Sequence, residues 1–145
     1  MFILFILSFK KIIKYNIGWF VWALFILYVM LIKQSSLPHF DFEFIIPVDK
    51  LVHAFLFLVL ILFLCAGFYF QQPQLFTKHK GFLLFFLLGT AFGGTTELLQ
   101  KILTTDRTAD IYDFISDVVG LILGGIIFEY YFKKNLLYKK KLLHF

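Results

Sequence analysis

Ionisable and amide side chains recur at helical spacing in three stretches of this 145-residue chain. They are Asp49 with His53, Glu97 with Gln100, and Asp110 with Asp113 and Asp117. Residues three, four or seven positions apart share one face of a helix, so each stretch would present its polar groups together. Carboxylates and imidazole can accept, donate and transfer protons near neutral pH. His53, Glu97 and Asp113 are therefore the catalytic candidates if the chain is an enzyme.

Two cations lie beside these stretches and predict a binding role. Lys50 and Arg107 would grip a phosphate or a carboxylate. Glu97 and Asp113 would accept hydrogen bonds or a proton, and His53 would shuttle one, although a purely structural hydrogen bond for His53 competes evenly. The predicted binding residues are Asp49, Lys50, His53, Glu97, Gln100, Arg107, Asp113 and Asp117.

The same acids and His53 also offer oxygen and imidazole ligands for metal-assisted hydrolysis. Their spacing is not a zinc signature, and the positive charges of Lys50 and Arg107 would oppose entry of a cation. We therefore expect neither a metal nor a cofactor.

The elements that position these groups are predicted to be transmembrane helices. The chain is 61% apolar, with a mean hydropathy of +0.87, whereas a globular domain is about 45–50% apolar. About 20 apolar residues in a helix cross the hydrocarbon layer of a bilayer. We expect an all-α, integral membrane bundle of four transmembrane helices in a single domain, residues 1–145. The predicted spans are about 17–32, 51–70, 82–99 and 111–132.

Charge distribution predicts the orientation. Ten of the 14 lysines and arginines lie on the side that holds both termini, including the basic tail 133–145. The positive-inside rule then places both termini in the cytoplasm, across a bacterial inner membrane. This topology accounts for the pI of about 9.3 without a nucleic-acid partner. Eight of the nine acids gather at the opposite, outer side.

Acids within spans are expected to face the interior of the bundle. An ionised Asp inside a span costs about 2.5–3.5 kcal/mol even on a lenient insertion scale. Gly120, Gly124 and Gly125 would allow the fourth helix to approach a neighbour closely. A polar network that only locks the helices together is the structural alternative.

The ordered motif set resembles the VanZ-like family of small membrane proteins. The matching residues are Asp49, Lys50, His53, Glu97, Gln100, Arg107, Asp113, Gly120 and Gly124, which span roughly half of the chain. The family pattern usually has Asn where this chain has Asp117. An ionised Asp only accepts hydrogen bonds, so either Asp117 is protonated or its partner carries an extra proton or charge.

The family takes its name from a protein associated with teicoplanin resistance, and its biochemical activity is generally unassigned. The resemblance therefore implies a possible tie to glycopeptide resistance but no reaction. We expect a site that binds or processes an envelope lipid or a lipid-linked headgroup at the outer leaflet. A non-catalytic scaffold and a metal-assisted hydrolase are the alternatives, and the oligomeric state is open. A transporter is less favoured because its site would lie near the bilayer midplane.

Overall fold

A computed structural model describes residues 2–32, 47–72, 74–76, 80–103, 110–132 and 134. Four helices occupy most of these residues: α1 at Phe2–Leu31, α2 at Val48–Gln71, α3 at Lys80–Leu103 and α4 at Ile111–Ile127. A π-helical turn, Phe128–Phe132, continues α4. No strand occurs in the described part of the chain, so the prediction of an all-helical chain with four helices is confirmed.

Each helix contains a segment that is long and apolar enough to cross a membrane. These segments are Ile13–Leu31, Val48–Gln71, Lys80–Leu103 and Ile111–Tyr131. The second helix begins three residues before the predicted span, and the third ends four residues after it. Hydropathy falls where Lys50 and Lys101 interrupt the apolar runs, whereas the helical backbone continues past both residues.

The helices alternate in direction along the chain. Trp22 of α1 donates to the carbonyl oxygen of Leu56, and an added Cβ on Gly67 would meet the backbone of Tyr15, so α1 runs antiparallel to α2. The same reasoning makes α3 antiparallel to α4. Gly120 of α4 lies against Ala54 and Gly124 lies against Leu58, so α2 and α4 are parallel, and they share the most extensive helix contact of the bundle.

Two glycines of α4 explain that close α2–α4 contact. An added Cβ on Gly120 would clash with the backbone of Ala54, and one on Gly124 would clash with Ile61 and the carbonyl oxygen of Leu58. The α4 backbone therefore lies directly on the α2 backbone, as the small residues predicted.

The two ends of the bundle differ in chemistry. Tyr69, Phe76, Phe85 and Phe128 stack or meet edge-on in the half of the bundle that contains the C-terminus of α2. The buried charged residues His53, Glu97 and Asp117 lie toward the other end, where α2 and α4 begin. We call this second end the polar end. Large apolar side chains cover much of the outer surface, for example Leu83, Leu87 and Leu98.

Candidate functional site

The site is a polar cluster at the polar end. Its members are Asp49, Lys50, His53, Glu97, Asp110, Asp113 and Asp117. Parallel packing of α2 and α4 brings their first two turns together, and the antiparallel α3 contributes Glu97 from its C-terminal part. Residues up to 64 positions apart in sequence are thereby within hydrogen-bonding distance.

Lys50 ties the outer layer of the cluster together. Its Nζ lies 2.6 Å from Asp110 Oδ2, 2.5 Å from Asp113 Oδ1 and 3.2 Å from Asp49 Oδ2. An ammonium group has three donors, and each of them has a carboxylate partner here. The described geometry therefore makes Lys50 a counter-ion for three aspartates of the chain itself, whereas the sequence led us to expect that Lys50 grips a phosphate or a carboxylate of a ligand.

His53 occupies the inner layer. Its Nδ1 lies 3.0 Å from Asp117 Oδ1, within hydrogen-bonding distance, and 3.9 Å from Glu97 Oε1. Its Nε2 faces Asp113 Oδ2 at 3.9 Å. His53 thus lies among three carboxylates and links the outer layer to the inner one.

The exposed fraction of the side chains falls steadily from Asp49, at the open edge of the cluster, to Asp117 inside the bundle. The exposed side-chain fraction is 57% for Asp49, 36% for Asp110 and 16% for Lys50 and Asp113. It is 8% for Glu97, 5% for His53 and zero for Asp117. The cluster therefore runs from exposed acids at the polar end to the wholly buried Asp117, and we call this row of polar side chains the shaft.

Gly93 and Phe57 lie at the buried end of the shaft, close to Asp117. An added Cβ on Gly93 would lie 3.1 Å from Asp117 Oδ2 and 3.2 Å from Phe57 Cε1. The absent side chain of Gly93 leaves room for the Asp117 carboxylate between α3 and α4. The wholly buried ring of Phe57 lies next to it and belongs to the apolar core.

Glu97 joins the cluster to the start of α4. Its Oε2 accepts a hydrogen bond of 3.3 Å from the backbone N–H of Asp110. The Asp110 side chain in turn caps α4 by accepting from the N–H of Tyr112 at 2.9 Å. These bonds fix the C-terminal part of α3 against the start of α4.

Two buried oxygens of the cluster have no hydrogen-bond partner among the residues that the structure describes. They are Glu97 Oε1 and Asp117 Oδ2. Buried polar groups are nearly always satisfied, so each such atom calls for a missing proton, water, ion or ligand. Both atoms belong to groups that line the inner layer.

The described cluster carries a large excess of acid. Five carboxylates face one lysine, which gives a formal charge of −4 when all five are ionised and His53 is neutral. The exposed Asp110 relies on Lys50: its hydrogen bond to the ammonium lowers the pKa of Asp110 below the usual 3.8, and the Tyr112 N–H lowers it further. The deeper carboxylates share no such cation within the described residues.

Most residues predicted for the site lie in or beside the cluster. Gln100 is the exception: it is buried, and its Nε2 donates to the carbonyl oxygen of Met30 at 2.9 Å, which ties α3 to the end of α1. Arg107 lies outside the described residues. Asp110 was part of the predicted aspartate face but not of the predicted binding set, although its i, i+3 spacing to Asp113 already pointed to it.

No protein-family model, no curated protein and no solved structure matches this chain. The VanZ-like resemblance therefore stays a prediction from sequence motifs, and the geometry of the cluster carries the functional argument.

Proposed function

We propose that this chain is a VanZ-like, multi-pass protein of the bacterial inner membrane that binds the headgroup of an envelope lipid or a lipid-linked molecule. The observation that carries the proposal is the inward-facing polar shaft inside a bundle whose exterior is apolar. Within the described part of the chain, one oxygen each of Glu97 and Asp117 has no hydrogen-bond partner. Ionisable groups within membrane helices are expensive and usually mark a functional path or site.

The shaft favours a headgroup that supplies hydrogen-bond donors. The three donors of Lys50 already meet carboxylates. An ionised carboxylate has no donor and can only accept hydrogen bonds. Amines or hydroxyls of a headgroup complement such a surface, whereas a bare phosphate does not. Phosphate recognition falls to Arg107, which the sequence places between Glu97 and Asp113.

The location of the shaft agrees with an outer-leaflet ligand. The polar end is where α1 and α3 finish and where α2 and α4 begin. With both termini in the cytoplasm, as the lysine-rich termini predict, this end faces outward. The open rim at Asp49 and Asp110 would then meet the outer headgroup layer.

Native mass spectrometry of the purified protein, equilibrated with mixed lipids, tests this proposal. The lipids are phosphatidylethanolamine, which offers an ammonium, phosphatidylglycerol, which offers hydroxyls, and phosphatidylcholine, whose headgroup has no donor. One hydrogen bond to a charged group is worth about 1.5–3 kcal/mol, so we expect retention of a donor lipid over phosphatidylcholine by roughly tenfold or more. The preferred donor lipid distinguishes amine from hydroxyl recognition.

Variants separate binding from a scaffold role. Glu97→Gln and Asp113→Asn should abolish the lipid preference while the protein stays folded. Ser116→Ala is the matched control, because the Ser116 hydroxyl only donates to the Tyr112 carbonyl of its own helix at 2.8 Å. If both acid variants keep the preference and only melt earlier, the cluster is a structural lock and headgroup binding is refuted.

A further inference from the structure

The inner layer contains a group of side chains with the composition of a metal site. His53, Glu97 and Asp117 each offer one ligand atom, and these atoms lie within 4.8 Å of one another. All three residues are buried. They come from three different helices, so packing of the bundle assembles the group before any ion arrives.

Unpartnered carboxylate oxygens point to a ligand in this group independently of its composition. Glu97 Oε1 and Asp117 Oδ2 are buried without a hydrogen-bond partner among the described residues, and both residues are more than nine-tenths buried. Leaving a buried acceptor unpaired is unfavourable because it has lost its hydrogen bonds to water. A cation bound between the two carboxylates would supply the positive charge that Glu97 and Asp117 lack among the described residues.

The observed separations are close to those of a coordination sphere. Bonds of about 2.0–2.2 Å from a tetrahedral ion to nitrogen and oxygen place neighbouring ligand atoms about 3.4 Å apart. His53 Nδ1 lies 3.0 Å from Asp117 Oδ1 and 3.9 Å from Glu97 Oε1. The third pair, between Glu97 and Asp117, lies within 4.8 Å, so the two carboxylates would have to approach each other by up to about 1.4 Å to seat an ion.

The surroundings of His53 match an outer coordination shell. A ligating imidazole usually donates its second N–H to a carboxylate, which fixes the ring and raises its basicity. When Nδ1 binds the ion, Nε2 carries the hydrogen and faces Asp113 Oδ2 at 3.9 Å, so the two groups would approach by about 1 Å to form this hydrogen bond. Asp113 is itself held by Lys50. The charge of Lys50 opposes a cation less than the sequence suggested, because three carboxylates surround its ammonium. Arg107, the other cation named from the sequence, lies outside the described residues.

We propose that His53, Glu97 and Asp117 bind a divalent transition-metal ion of the Zn²⁺ class. One imidazole with two carboxylates suits such an ion better than Mg²⁺ or Ca²⁺, which prefer oxygen ligands throughout. Three protein ligands leave at least one coordination position for water or a ligand. That this position receives a headgroup oxygen rests on the proposed function; binding of the ion does not.

Titration of the chelator-stripped, detergent-solubilised full chain with ZnCl₂ alone tests the site. We expect one Zn²⁺ per chain, retained in a hundredfold excess of MgCl₂. Wild-type protein that binds no stoichiometric Zn²⁺ overturns the proposal, and would leave a proton or Arg107 as the charge that satisfies the buried carboxylates.

Variants assign the ligands. Glu97→Gln and Asp117→Asn should each weaken Zn²⁺ binding by more than about 100-fold, and Asp113→Asn by about 10–100-fold, the usual effect of an outer-shell change. Glu129→Gln, the same chemical change on the π-helical turn at the other end of the bundle, should leave the affinity unchanged. Equal losses in Glu97→Gln and Glu129→Gln would refute the assignment.

A spectroscopic measurement on wild-type protein avoids variants that fail to fold. Co²⁺ added to the stripped protein should give the intense visible absorption of a low-coordinate site, and one equivalent of Zn²⁺ should abolish it. A spectrum like that of aqueous Co²⁺ contradicts the site.

Lipid retention with and without metal separates the two proposals. Stoichiometric Zn²⁺ without any lipid preference supports the metal site and refutes headgroup binding. A lipid preference in protein that binds no Zn²⁺ does the reverse.

Discussion

At the scale of single residues, the site depends on how one lysine is shared. Lys50 contacts Asp49, Asp110 and Asp113, and the deeper acids Glu97 and Asp117 are left to His53. Removing one partner of a cluster exposes the remaining charges to one another. Substitutions of Asp49, Asp110 or Asp113 therefore test the ion pairs of Lys50. Substitutions of Glu97 or Asp117 test the binding of a ligand.

The Lys50–Asp110 ion pair predicts a pH-dependent contribution to stability. The pKa of Asp110 is lowered by its hydrogen bond to Lys50, so the contribution is complete above the ordinary carboxyl pKa of 3.8 and is lost as the pH falls through the lower folded value. Asp110→Asn removes the charge but keeps an equally good helix N-cap. We expect this variant to melt below wild type at pH 7 in detergent, with the difference shrinking below about pH 3.8. A difference that widens in acid would contradict the ion pair.

At the scale of helices, the α2–α4 contact sets the geometry of the shaft. Gly120 and Gly124 bring the two backbones together one and two turns beyond Asp117. This contact holds Lys50 and His53 opposite Asp113 and Asp117, so the spacing of the cluster follows from helix packing.

A side chain at Gly120 should therefore force the two helices apart. A Cβ there would meet the carbonyl oxygen, carbonyl carbon and Cα of Ala54, which are backbone atoms that cannot rotate away. We expect Gly120→Ala to destabilise the protein by about 1–3 kcal/mol, the usual effect of overpacking, as measured by denaturant unfolding in detergent. Val119→Ala, at an exposed neighbour on the same helix, is the control and should change stability little. Equal stability of Gly120→Ala and wild type would mean that α4 does not rest on α2.

Much of this arrangement follows from the sequence at the helix scale, and some of it does not. Helical spacing predicted one polar face on each of α2, α3 and α4, and small residues predicted the close approach of α4. Which acid meets Lys50 depends on how α2 and α4 are rotated and shifted along their axes relative to each other. Helical periodicity in the sequence does not predict this, because Lys50 and Asp110 are 60 positions apart. Gln100 shares a helical face with Glu97, yet the end of α1 lies within its reach and takes its hydrogen bond.

At the scale of the whole molecule, the distribution of apolar and charged side chains is compatible with a lipid bilayer. Apolar side chains cover the outside of the bundle, and buried acids and His53 lie inside one end. Lipid offers no hydrogen bonds to charged groups, so a membrane protein gathers them inward or at the headgroup level. In the proposed transmembrane arrangement, the polar end and the end that contains Tyr69, Phe76 and Phe128 would lie on opposite sides of a bilayer.

The two ends of α2 provide the test of that orientation. With 24 residues the helix is about 36 Å long, enough to cross a hydrocarbon core of about 30 Å. Pro47 precedes it at the polar end, Gln72 follows it at the other, and both are exposed. Since Cys65 is the only cysteine, Cys65→Ala gives a background for introduced thiols.

In that background, Pro47→Cys should react with a membrane-impermeant maleimide in intact spheroplasts, and Gln72→Cys should react only after lysis. The physical reason is the excess of lysines at the termini, which retains that side in the cytoplasm and places the polar end outside. The reverse pattern would invert the topology and direct the shaft toward cytoplasmic ligands. Equal labelling of both variants before lysis would mean that α2 does not cross the membrane, and the shaft would then open to water rather than to lipid headgroups.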